Sequence, residues 1–146
     1  MPKYKNIKSA AHNFGYSFLS DMNYVGTGSA FRYVPEALYV AAKEAGAPLV
    51  TINFLKQEVE PPSMATPAVR ESVANYARWL PKLLDSQSVD PEMVRQARMS
   101  LSFDFEHPRQ SRYDPSRKLP TVTCTVTFTD DRGVTHEAVP DKWCFE

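Results

Sequence analysis

Between Thr121 and Thr129 the chain reads TVTCTVTFT, with Thr at every odd position and Val122, Cys124, Val126 and Phe128 between them. Successive side chains of a strand point to opposite faces, so this run has one apolar face and one hydroxyl face. Its β-branched residues suit a pleated surface. Upstream, Met99–Glu106 alternates in the same way, with Met99, Leu101, Phe103 and Phe105 on one face and Ser100, Ser102, Asp104 and Glu106 on the other. Downstream, Asp130-Asp131-Arg132-Gly133 leads into Val134–Val139. Gly133 accepts a positive φ without a Cβ clash, so a short hairpin closing on that glycine is expected. Closing the turn there sets Phe128 opposite His136 and Val126 opposite Ala138. His136 then lies on the covered face with Val134 and Ala138, as a hydrogen-bonded core residue. The three runs predict an antiparallel meander, one face buried and one in water.

The first two-thirds of the chain supplies the cover. Ala11, Phe14, Phe18, Met22 and Val25 recur at spacings of three and four, predicting a helix from a Ser9 cap to about Tyr24. Gly15 inside it costs about 1 kcal/mol relative to Ala. Gly26-Thr27-Gly28-Ser29 reads as a connecting turn, and a second helix is expected over Pro35–Ala45. Pro48–Val59 fits both periods. The neighbouring helices and its length favour a helix there. Thr66 and Pro67 open a long helix whose apolar face carries Val69, Val73, Tyr76, Leu80 and Leu83 or Leu84, with a kink or an end expected at Pro81. Asp90-Pro91-Glu92 opens a short helix. The fold class is therefore α+β in a single domain. Residues 1–98 are mainly helical and pack on one face of a three-stranded antiparallel meander formed within 99–146.

Composition narrows the function. The chain has 146 residues, with 17 basic and 17 acidic side chains, so net charge gives no reason to expect a nucleic-acid partner. There is no signal-peptide core and no apolar run of membrane-spanning length, which predicts a soluble cytoplasmic protein. The two cysteines, Cys124 and Cys144, form no CxxC pair and are expected as reduced thiols. The aromatic tail after Asp141, ending in WCFE, is expected to dock on the core.

No metal-ligand spacing, nucleophile elbow or cofactor fingerprint is present, so no metal or cofactor is expected. A Cys124–His136 thiol–base pair is disfavoured, because a thiol on an apolar face is a poor nucleophile. Two surfaces remain. The connection His107–Leu119 carries Arg109, Arg112, Tyr113, Arg117 and Lys118 against one acid, Asp114. Arg and Tyr are enriched at interface hot spots. The first helix carries an uncharged polar stripe of His12, Asn13, Tyr16, Ser20 and Asn23. The leading expectation is a protein-binding module of inhibitor or immunity type acting through the basic connection. The alternative is a small enzyme or ligand-binding domain, with His12 as general base beside Tyr16. A third is a structural subunit joined through the edge strand Val134–Val139.

Overall fold

The protein is described by a computed structural model covering residues 6–22, 33–110, 116 and 118–140. Its elements are α1 (Ile7–Met22), α2 (Tyr33–Ala45), β1 (Leu49–Asn53), β2 (Glu58–Glu60), α3 (Pro67–Ser86), β3 (Val94–Gln110), β4 (Lys118–Asp130) and β5 (Thr135–Ala138). Short 3-10 turns at Pro62–Met64 and Pro91–Met93 precede α3 and β3. The class is α+β, with three α-helices on one antiparallel sheet of order β2-β1-β3-β4-β5.

The C-terminal meander has the anticipated register, Phe128 opposite His136 and Val126 opposite Ala138. Gly133 closes its turn at φ +82°. The sheet is wider than the three expected strands. Pro48–Val59 is a β-hairpin, not a helix: Ile52 pairs with Val59, and β1 also pairs with β3, Ile52 opposite Met99. Val50, Ile52 and Phe54 are buried while Leu49 and Leu55 are exposed. Leu49 and Leu55, which with Ile52 and Val59 also match a helical spacing, thus belong to the open side. The turn is held by the Asn53 side chain, whose Oδ1 accepts from the Lys56 amide at 3.2 Å.

Other boundaries move for local reasons. Strand β3 begins at Val94, five residues before the expected Met99. The Asp90-capped turn is a single 3-10 turn, with Glu92 N donating to Asp90 Oδ1 at 3.0 Å. Thr66 caps α3 by accepting from Val69 N at 3.2 Å. Pro81 does not end that helix, which runs on to Ser86. The proline itself is exposed, while Leu80, Leu83 and Leu84 around it are buried and hold the last turns down. Ser9 lies inside α1 instead of capping it. Its hydroxyl and the Asn6 amide bond Gln87 at the end of α3.

The core is one cluster centred on Phe14, which is fully buried. Its ring meets Phe54 edge-on at 4.9 Å, Tyr76 at 5.7 Å, Trp79 at 5.8 Å and Phe128 at 6.0 Å, so α1, the β1–β2 turn, α3 and β4 share one contact centre. Gly15 explains how α1 comes so close to the sheet. A Cβ at that position would lie 2.7 Å from both Val126 Cγ2 and Pro140 Cγ. The helix therefore rests over the gap between β4 and the chain leaving β5. On the opposite sheet face, Ser102, Thr123 and Arg98 are exposed, and Thr121, Thr125, Thr127 and Thr129 are partly so. The Gly26–Ser29 turn and the WCFE tail lie outside the described residues.

Candidate functional site

Strands β3 and β4 outrun their neighbours. Strand β1 pairs with β3 only as far as Leu49 opposite Ser102, with one further bond from Phe103 N to Pro48 O at 2.7 Å. Strand β5 pairs with β4 only from Val126 to Thr129. Beyond those points β3 and β4 continue together, Phe103 opposite Val122 and Asp104 opposite Thr121, and finally Arg109 opposite Leu119 and Gln110 opposite Lys118. The result is a two-stranded arm. It replaces much of the expected long loop: Arg109 and Lys118 belong to the ladder, and only 111–117 connect the strands. Arg112, Tyr113 and Arg117 lie in that connection, outside the described residues.

Two devices support the arm. At its base, Tyr39 of α2 packs on Phe103 at 5.9 Å and Phe105 at 5.7 Å. Half-way along, the register jumps between Asp104 and Arg109, so β3 carries extra residues there. A bulge of this kind bends and twists a strand pair. Asp104 staples it: Oδ1 accepts from the amides of Glu106 and His107, each at 3.1 Å, and Oδ2 meets His107 Nδ1 at 3.1 Å. Across the ladder, Thr121 Oγ1 donates to His107 O at 2.7 Å. Desolvation alone would raise the Asp104 pKa; the bonds from the His107 ring and the two amides outweigh it and hold the carboxyl below its ordinary value. His107, in sequence terms the first residue of a basic loop, is thus a fastener of the bulge.

The β4–β5 turn contains a second polar cluster, where the sequence alone shows only the residues of a turn, Asp130 and Asp131. Asp130 continues the inward alternation after Phe128, and its side chain is 0% exposed. Its oxygens accept from Arg132 N at 2.9 Å, Val134 N at 3.0 Å, Arg132 Nη2 at 2.8 Å and His136 Nε2 at 2.9 Å. Burial pushes this carboxyl's pKa up; the bonds from His136, Arg132 and the two amides overcome that and hold it well below the usual carboxylate range. Asp130 thereby ties turn, cation and strand together, and its lone pairs are committed to that structure. The signal for it was the even-numbered position in the alternating run. His136 is largely covered and hydrogen-bonded, but Val134, expected beside it, is 46% exposed.

The helix-face candidates are less enclosed. His12 is exposed and Asn13 and Tyr16 are half-buried, with the His12 and Tyr16 rings stacked at 6.3 Å. The side chain of Ser20, and Asn23 altogether, lie outside the described residues. A cavity of about 350 Å³ is lined by Ala68, Glu71, Ser72 and Asn75, along α3 and away from His12 in the chain. Ser72 already donates to Ala68 O at 2.9 Å. Cys124 is a buried free thiol pushed up to about 12 by desolvation, which removes it as a nucleophile. Cys144 is outside the described residues. Among the described residues no group of three His, Cys, Asp or Glu is placed to hold a metal ion, and no helix is long and apolar enough to cross a membrane.

No family model, curated protein or solved structure matches the chain.

Proposed function

We propose that the protein is a binding module of inhibitor or immunity type, whose β3–β4 arm engages another protein. The observation carrying this reading is that β3 and β4 continue as a pair beyond both neighbouring strands. An isolated two-stranded hairpin is marginal in water. Here the Tyr39 buttress and the Asp104 staple hold one in place. Fixing an arm in advance lowers the ordering cost of docking it.

In sequence, the connection between β3 and β4 includes Arg112, Tyr113 and Arg117, flanked by Arg109 and Lys118 in the strands, in a chain whose total charge balances. The basic character is local, which suits an acidic patch on a folded partner and steers its encounter. A neutral chain is poorly suited to a long phosphate backbone. The free buried thiol of Cys124 is in keeping with a cytoplasmic setting.

The test is a triple variant, Arg109→Ala with Arg112→Ala and Tyr113→Ala, titrated calorimetrically against the partner that co-purifies with the wild type. Affinity should fall about 100-fold or more, the scale of losing two hot-spot residues, with the melting temperature unchanged. Equal affinity of variant and wild type would remove the arm from the function.

A further inference from the structure

We infer that two copies of this chain pair through their β5 strands, joining the two five-stranded sheets edge to edge. Strand β5 is the last in the sheet order, so its outer side has no strand partner among the described residues. Asp130 N donates to Val134 O at 2.9 Å, which fixes the alternation: the even residues of β5 bond β4, and the amides of Thr135 and Glu137 point outward. Open edges are normally blunted by charge, proline or shortness. Strand β2 at the other edge is three residues long and bears Glu58 and Glu60. The stretch of β4 left open beyond β5 contains Pro120, which has no amide hydrogen. Strand β5 is four residues long with one acid, Glu137, against two in the three residues of β2; it carries no proline and no lysine, and it is flanked by Val134 and Val139, 46% and 55% exposed.

The occupant that fits is a second copy, and the register follows from charge. Setting Thr135 opposite Glu137 of the second copy gives two outward-bonding pairs, related by the two-fold axis, that exchange four backbone hydrogen bonds. It also sets Val134 opposite Ala138. Moving the register toward the C-terminus places Glu137 opposite Glu137, which like charges oppose. Moving it the other way draws Gly133, at φ +82°, into the ladder. The helices accommodate the arrangement. Because Gly15 rests between Val126 of β4 and Pro140 just past β5, α1 lies about half a strand spacing inside β5. The axis lies half a spacing outside it, so the two α1 helices stand two spacings apart, about 10 Å, within the range of packed helices. The exposed and half-buried positions in the middle of α1, His12, Asn13, Tyr16 and Ser17, include no lysine, arginine, aspartate or glutamate.

Sedimentation of the full chain across a concentration series tests this, with Glu137→Pro as the variant. Proline at that position removes an outward amide and no bond of the native ladder. The wild type is expected at twice 16.5 kDa at high concentration. The variant should dissociate at least 100-fold more readily, with an unchanged melting temperature at concentrations where both proteins are monomeric. A second reading needs no variant: the Thr135 and Glu137 amides should be protected from hydrogen exchange in concentrated solution and exchange freely on dilution. A wild type monomeric throughout overturns the inference. So does a dimer that survives Glu137→Pro, and so do amides that exchange equally at both concentrations, which also decides the matter if the variant does not fold.

Discussion

Adding one methyl group at Gly15 sets two effects of opposite sign against each other. Alanine in a helix interior is about 1 kcal/mol better than glycine. By that rule Gly15→Ala stabilises. The new Cβ, however, would lie 2.7 Å from Val126 Cγ2 and 2.7 Å from Pro140 Cγ. Neither atom is the end of a flexible side chain: one belongs to a buried β-branched residue and the other to a ring. Relief requires α1 to lift from the sheet, and that loosens Phe14 from Phe128 in the adjacent position. Overpacking of a tight core costs about 1–3 kcal/mol, and two rigid contacts at once place this case at or above the top of that range. The net expectation is a loss of about 2 kcal/mol, or roughly 4–8 °C in melting temperature for a chain of this size. Urea denaturation of the wild type, Gly15→Ala, Val126→Ala and the double variant measures it. In the Val126→Ala background the cost of Gly15→Ala should shrink by about 1 kcal/mol, as coupled neighbours do. A Gly15→Ala protein more stable than the wild type, or effects that simply add, would refute the close approach of helix and sheet.

Asp130→Asn should lower the melting temperature at pH 7 and flatten the acid limb of the stability profile. The folded pKa of Asp130 is depressed, so its contribution is present above the unfolded value near 3.9 and is lost as pH falls below it toward the folded value. A variant that tracks the wild type from pH 7 to pH 2 would count against the turn cluster. In a Cys144→Ser background, the remaining thiol, Cys124, should resist a thiol reagent at pH 8 while folded and react fully in denaturant, because its pKa is pushed up to about 12. Rapid labelling of the folded protein would place that side chain elsewhere.

Strict alternation makes the meander and its hairpin register legible in the sequence. A one-residue slip would turn every Thr of β4 inward, so only one pairing was viable. The β1–β2 hairpin was hidden because its turn, Phe54–Gln57, contains no glycine or proline. It is held instead by Asn53, and Gln57 supplies the positive φ of 53°. With Leu49 and Leu55 exposed, the stretch also offered a false helical stripe. The basic connection was visible as composition, but not that a three-residue excess, stapled by Asp104 and His107, lies where both of its ends become strand. Such a staple depends on contacts between Asp104, His107 and Thr121, and no local pattern announces it. Asp130 was legible by its position in the alternating run, yet its two roles, turn residue and buried ion, looked like one.

The seat of α1 bears on how the chain is made. Gly15 meets Val126 and Pro140, and Phe14 meets Phe128, so α1 completes its seat only on residues synthesised more than a hundred positions after it. Gly15 and Pro140 are 140 − 15 = 125 residues apart. At translation rates of about 5–20 residues per second, roughly 6–25 s separate them on the ribosome. Through that interval Phe14 lacks Phe128, and Gly15 lacks Val126 and Pro140. A nascent chain stopped short of β4 offers that helix only part of its seat, on Phe54, Tyr76 and Trp79. Completion of the core is therefore a late, non-local event, of the kind that slows folding and exposes a chain to chaperones and to its neighbours.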